Sequence, residues 1–246
     1  MLGKRRKKTD LPAVCAVIVA AGSSRRMGGE NKLLLEIDGV PVLARTLSAF
    51  QKCAAIRDIV LVCREQDIMP YTELAKAFSI DKLCTVTRGG ETRTESVLAG
   101  ITAAPENAVL VAVHDGARPL ISPDLILHAI NVLKGNIDCD GAVVAHPAVD
   151  TLKVVENGVI VGTPDRRVFW NAQTPQVFRA GIYRRAHASA LSDGFMGTDD
   201  SSLIERLGGR VLVVEGKRDN IKLTVPEDYL MLAAAVRALY MKDAEQ

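Results

Sequence analysis

Short apolar runs alternate with amphipathic, helix-periodic segments along most of this chain. Residues 13–21 (AVCAVIVAA) are valine-rich, too short for a typical helix and stopped by Gly22. That pattern predicts a strand buried in a parallel sheet. Runs of the same kind recur at 58–63, 83–87, 108–114, 141–145 and 211–215. Between them, apolar positions three and four apart predict helices over 42–51, 67–78, 91–104, 123–134 and 180–191. Strands alternating with helices predict an α/β fold, a mostly parallel sheet with flanking helices.

Local signals place several ends. Ser122 before Pro123 reads as an N-cap followed by the first helical residue. Thr224-Val225-Pro226-Glu227 reads as a capping box, and Asp199-Asp200 as the acidic opening of a helix to about Leu207. Pro175 disfavours helix before it, so residues 172–178 read as extended. The βα alternation breaks after His146. Residues 151–155 and 159–163 are β-rich and joined by Glu156-Asn157-Gly158, a hairpin signal. A lone two-stranded ribbon is marginal in water, so this one is expected to pack on something, a second subunit included.

Composition changes the picture little. A length of 246 residues suits one large domain over 11–246, after a basic tail at 1–10. A net charge of +2 argues against a nucleic-acid binder, and the run Lys4-Arg5-Arg6-Lys7-Lys8 reads as a solvated, disordered tail. The start imitates a signal peptide, but Asp10 and Pro12 separate its charges from the apolar run and Arg25-Arg26 follow that run. No run is long enough to span a bilayer, so no membrane partner is expected. Cys15, Cys53, Cys63, Cys84 and Cys139 are odd in number and lack a C-x-x-C pair. They read as small buried hydrophobes in a reducing, cytoplasmic compartment.

Candidate chemistry clusters at predicted strand ends, where open α/β sheets bind ligands. After the first strand, Gly22, Ser23 and Ser24 leave backbone N–H groups open to an anion, and Arg25, Arg26 and Lys32 add positive charge. This suggests a polyphosphate site; the alternative is an ordinary charged surface loop. The spacing fits neither G-x-G-x-x-G nor a P-loop. Gly89-Gly90 feed a helix start carrying Thr92, Arg93, Thr94 and Ser96, which reads either as a nucleotide contact or as plain capping. Asp115 and Arg118 follow the strand at 108–114. They could hold a metal or hydroxyl and an anion, or simply pair to order the turn. His114 reads as a packed or turn histidine.

In order, AAGSSRRMG with Lys32, GGETRTESVLAG, HDGARP, DTLK, TPDR, AQTPQ, TDDSS and DNIKLT before PED are motifs of one family. The chain resembles the 2-C-methyl-D-erythritol 4-phosphate cytidylyltransferases of non-mevalonate isoprenoid synthesis from about Ala13 to its last helix. The resemblance implies a Rossmann-like nucleotidyltransferase fold and a homodimer formed through a protruding β-arm, matched here by about 147–168. It implies a divalent cation, usually Mg2+, held mainly by the phosphates of CTP, with no protein metal ligands. It also implies attack of the methylerythritol phosphate oxygen on the α-phosphorus of CTP, with pyrophosphate leaving. Carried onto this chain, Arg26, Lys32 and Lys222 would be the reacting-centre cations. Ala20, Ala21, Gly22, Gly90, Glu91, Ser96 and Gly116 would contact the nucleotide. Asp115, Arg118, Thr151, Arg166, Thr174, Thr198 and Asp219 would line the sugar-phosphate side, Thr151 and Arg166 coming from a partner's arm. Asn31 and Gly116 stand where many members carry proline and alanine. A related ribitol 5-phosphate cytidylyltransferase is the nearest alternative, and a catalytically silent nucleotide-binding module a further one.

Overall fold

The computed structural model describes residues 13–23 and 31–244. The basic tail and Ser24, Arg25 and Arg26 of the first loop lie outside the described residues. Strand β1 (Ala13–Ala20) is followed by a small ladder, β2 (Glu36–Ile37) and β3 (Val40–Pro41), and by α1 (Val42–Lys52). Next come β4 (Ile56–Cys63), a 3-10 turn at Glu65–Asp67, α2 (Ile68–Ala77), β5 (Leu83–Arg88), α3 (Arg93–Ala103) and β6 (Ala108–Asp115). The second half has α4 (Pro123–Gly135), β7 (Gly141–Pro147), the ribbon β8 (Val154–Glu156) and β9 (Val159–Gly162), and β10 (Trp170–Arg179). The chain continues as α5 (Ala180–Ser192), α6 (Ser201–Arg206), β11 (Val211–Glu215) and α7 (Pro226–Ala244).

Seven strands form one sheet in the order β11-β7-β10-β6-β1-β4-β5. All pairings are parallel except those of β10, which runs antiparallel to both β6 and β7. The apolar strand runs are explained by burial on both faces. Along β1, Val14, Ala16 and Ile18 enter the core under α1, α2, α4 and α7, while Cys15 and Val17 enter the core under α3 and α5. Each fully buried valine or isoleucine among them contributes roughly 1.5–3 kcal/mol. Chain order carries β4 and β5 to one side of β1 and then returns through α3 to β6 on the other. Ligands bind at such a switch point, outside the carboxyl ends of the strands.

Some local expectations shift. The helix expected from residue 91 starts at Arg93, and the one expected from 67 is a 3-10 turn running into α2. Thr224 is capped by Asp228 rather than Glu227: the Asp228 carboxylate accepts from the Thr224 and Val225 N–H groups at 2.7 and 2.9 Å. Asp199 alone caps α6, accepting from the Ser202 N–H, while Asp200 turns inward. The hairpin strands are shorter than expected, and their turn places Asn157 and Gly158 at φ 50° and 81°, the left-handed pair that a tight hairpin needs. All five cysteines are free, and Cys84 is exposed because it sits on the edge strand β5.

Candidate active site

The carboxyl ends of β1 and β6 open onto a cavity of about 440 Å³. Its lining includes residues 19–23, Lys32, Gly90, Glu91, Thr92, Arg93, Ser96, Asp115 and Lys222. Parallel pairing sets Val19 opposite Asp115, so the last residues of the two strands face one space. Ala20, Ala21, Gly22, Lys32, Gly90, Glu91, Ser96, Asp115 and Lys222 are therefore brought together from five distant stretches. Gly116 lies just behind them, its N–H donating to the Val19 carbonyl at 2.9 Å.

The glycine pair allows the close approach of α3 to β1. A Cβ on Gly89 would stand 2.7 Å from Ser96 Oγ and 2.8 Å from the Ala21 Cβ, so any side chain would push the helix off the first loop. Helix α3 opens with a full capping box between Thr92 and Glu95. The Glu95 carboxylate accepts from the Glu91 and Thr92 N–H groups at 2.7 and 3.0 Å, so capping already uses these two donors. The buried Ser96 hydroxyl donates to the Thr92 carbonyl at 2.9 Å. Towards the cavity that oxygen is therefore an acceptor.

Charge converges on Asp115. Lys222 Nζ lies 2.9 Å from its carboxylate, Arg118 Nε 3.3 Å and Arg93 Nε 3.8 Å. Burial alone would raise this carboxyl, but Lys222, Arg93 and Arg118 more than reverse that and hold it well below the usual carboxylate range. Arg93 also reaches Asp200 at 2.7 Å, and Tyr183 donates its hydroxyl to the same carboxylate at 2.7 Å. Burial works against the Arg93 charge, yet Asp200 and Asp115 raise its pKa above the ordinary guanidinium value.

Lys222 and Lys32 meet through residues 217–223. Leu223 is anchored by its N–H on the Ala117 carbonyl at 2.8 Å, and its own carbonyl accepts from Lys32 Nζ at 2.7 Å. Just before Lys32, Asn31 accepts from the Tyr71 hydroxyl at 2.9 Å and donates to Asp67 at 3.1 Å. Asp67 is in turn gripped by Arg64 at 2.6 Å. This chain of polar contacts fixes the backbone from which Lys32 projects.

Other candidates sit elsewhere. Arg118 is a brace rather than a lining residue: its guanidinium spans Asp115 and the Asn220 carbonyl, the latter at 2.7 Å. Thr174 is buried behind the site, where its hydroxyl accepts from the Asp115 N–H at 3.1 Å and donates to His114 Nδ1 at 2.9 Å. His114 then donates through Nε2 to the Arg118 carbonyl at 3.2 Å, and burial lowers its pKa to about 4. It is a packed, neutral histidine, as the sequence reading expected. Asp219 does not line the cavity that holds Lys222; it lies on a second, larger one. Thr198 is exposed. Thr151 and Arg166 are exposed on the segment around the ribbon and do not line the cavity of their own chain.

Asp200 and Asn220 stand outside the residues that the motifs assign to the site, and Arg93 enters the sequence reading only as part of a helix start that capping also explains. Arg93 and Asp200 sit inside quoted motifs, but their 2.7 Å pairing joins α3 to α6 and leaves no trace in local spacing. Asn220 donates to the Thr174 carbonyl at 2.9 Å and pins residues 217–223 to β10.

The family model described as 2-C-methyl-D-erythritol 4-phosphate cytidylyltransferase matches residues 14–238. A curated relative of that name from Geotalea uraniireducens is 43% identical over 231 residues, covering 92% of this chain and 97% of its own. One from Bacillus licheniformis is 43% identical over 223 residues, covering 90% and 95%. Among solved structures, 4-diphosphocytidyl-2C-methyl-D-erythritol synthase from Anaerococcus prevotii superposes with a TM-score of 0.82 at 31% identity, over 93% of this chain and 97% of its own. The cytidylyltransferase from Thermus thermophilus gives 0.73 at 30% identity, over 90% and 98%.

Proposed function

The chain belongs to the 2-C-methyl-D-erythritol 4-phosphate cytidylyltransferase family, and from that premise we propose how its cavity carries out the reaction. The enzyme transfers the cytidylyl group of CTP to 2-C-methyl-D-erythritol 4-phosphate. An oxygen of the acceptor's phosphate attacks the α-phosphorus, the bond to the β-phosphate oxygen breaks, and pyrophosphate leaves. No strong base is needed, because a phosphate monoester is already anionic near neutral pH.

One observation carries the placement: Lys32 and Lys222 reach a single cavity beside the small-residue turn at residues 20–23. The triphosphate lies along that turn, with Lys32 on the leaving pyrophosphate and Lys222 at the α-phosphate; Arg26, outside the described residues, is assigned to the pyrophosphate on the family motif alone. Such fixed cations stabilise charge that grows in the transition state. Gly90, Glu91 and Ser96 face the cytidine side, with Gly116 just behind them. Asp115, braced by Arg118 and Thr174, holds Lys222 and faces the acceptor, with Thr198 on the outer approach and Asp219 left to the other cavity.

The residues present fit a magnesium ion carried by the nucleotide rather than caged by protein. Asp115 is already committed to Lys222 and Arg118. Among the described residues no three His, Cys, Asp or Glu side chains gather as a cage. Magnesium bound to CTP would neutralise part of the triphosphate charge while keeping water ligands.

The active form is a homodimer built through the arm at about 147–168, an appendage of one catalytic domain over 11–246. Val154, Val155, Val159, Ile160 and Val161 are all exposed on the ribbon, an apolar surface that a second subunit would cover. Thr151 and Arg166 then reach the acceptor side of the neighbouring subunit's cavity. The described helices include none long and apolar enough to cross a membrane. The five free cysteines suit the cytoplasm.

Pyrophosphate release from CTP and magnesium tests the reading. Release is expected with 2-C-methyl-D-erythritol 4-phosphate and not with ribitol 5-phosphate. Release with ribitol 5-phosphate alone would reassign the acceptor, and release with neither, from protein that binds CTP, would leave a silent nucleotide-binding module.

A further inference from the structure

We infer that the chain carries a second small-molecule site, on the other side of residues 217–220 from the catalytic cavity. It suits an amphiphile with a phosphate head and an apolar body. A cavity of about 580 Å³ lies between α1, α7 and the loop after β6, a volume typical of small-ligand pockets. Its lining shares no residue with that of the catalytic cavity.

Two features select the ligand. Phe78, Ile121, Val236 and Leu239 provide apolar walls. Arg45, Lys52 and Lys217 provide three positive charges against the single acid Asp219. Among the described residues none of these three cations forms an ion pair. Arg45 is held in place by the Tyr240 hydroxyl at 3.3 Å and by the Ile37 carbonyl, while its Nε is buried without an acceptor. Unpaired charges of one sign in a recess with low-dielectric walls concentrate anions. A guanidinium matches phosphate geometry better than a bare ammonium does.

The site has a route to the reaction. Lys217, Asp219 and Asn220 form part of its wall. Asn220 is tied to Thr174 and Arg118, and two residues later Lys222 holds Asp115. An occupant therefore bears on the segment that positions Lys222. This consequence rests on the catalytic reading given above; binding itself does not.

The test uses n-hexyl phosphate as probe and calorimetry on the full chain saturated with CTP. Binding is expected, weakened about tenfold or more by Lys52→Glu and by Lys217→Glu, with hexanol and inorganic phosphate each binding at least about tenfold more weakly. Both lysines are exposed, so the variants are expected to keep the wild-type unfolding temperature and CTP affinity. No binding, displacement of the probe by CTP, or full affinity in both variants would overturn the site. In the wild type the bound probe should change kcat with the KM for CTP held; binding with kcat unmoved would overturn the coupling. A chain inactive towards methylerythritol phosphate would still report on the site through calorimetry.

Discussion

Lys222 Nζ stands 2.9 Å from the Asp115 carboxylate, and that contact joins the end of β6 to residues 217–223. Asp115 is nearly buried and faces Lys222, Arg93 and Arg118. The cluster thus keeps a net positive charge at the place where phosphate charge would arrive, while the carboxylate fixes where each cation points.

Lys222→Ala should lower kcat by roughly a hundredfold or more, the usual loss when one fixed donor to a developing oxyanion is removed. Asp115→Ala should act differently, leaving three cations without their shared partner and lowering folding stability by about 3–5 kcal/mol. Steady-state kinetics paired with denaturant unfolding separates the two. Equal stability loss in both variants would contradict the division of roles.

Asn31 is expected to act through Lys32. Asn31→Ala removes the acceptor of the buried Tyr71 hydroxyl and the donor to Asp67. Stability should fall by about 1–3 kcal/mol, and kcat/KM for CTP should drop several-fold. Tyr71→Phe takes away only one of these bonds and should do less on both measures.

The shared arm predicts complementation. Arg166→Ala and Lys32→Ala subunits should each be weakly active alone. Mixed one to one with full subunit exchange, they should recover about a quarter of wild-type activity, since half the dimers are mixed and each of those keeps one intact site. No recovery under verified exchange would place Arg166 in the site of its own chain.

His114 predicts a pH dependence of stability. Burial lowers its pKa from 6.5 to about 4, so between these values the unfolded chain binds a proton that the folded chain refuses. Its contribution is fully present above about pH 6.5 and declines as pH falls towards 4, by an amount on the order of 3 kcal/mol. Asp115, held low, adds a further loss only below about pH 3.8. Unfolding free energies at pH 7 and pH 5 should converge in His114→Asn relative to wild type.

Periodicity and turn signals placed the strand runs, most of the helices and the hairpin turn. Each of these rests on interactions within a few residues: two-faced burial of a valine-rich run, the N-cap at Ser122, and the left-handed pair Asn157-Gly158. Ordered motifs also pointed to Lys32, Asp115 and Lys222. Which side chains meet follows from packing between distant elements. The Arg93–Asp200 pair, the reach of Arg118 to the Asn220 carbonyl and the placement of Asp219 on the other cavity all depend on how α3, β6, α6 and residues 217–223 pack around the sheet, whereas the Asp115–Arg118 pair was legible from its spacing. Local pattern carries no record of such contacts, because the backbone of one element does not constrain where a side chain from a distant one will come to rest.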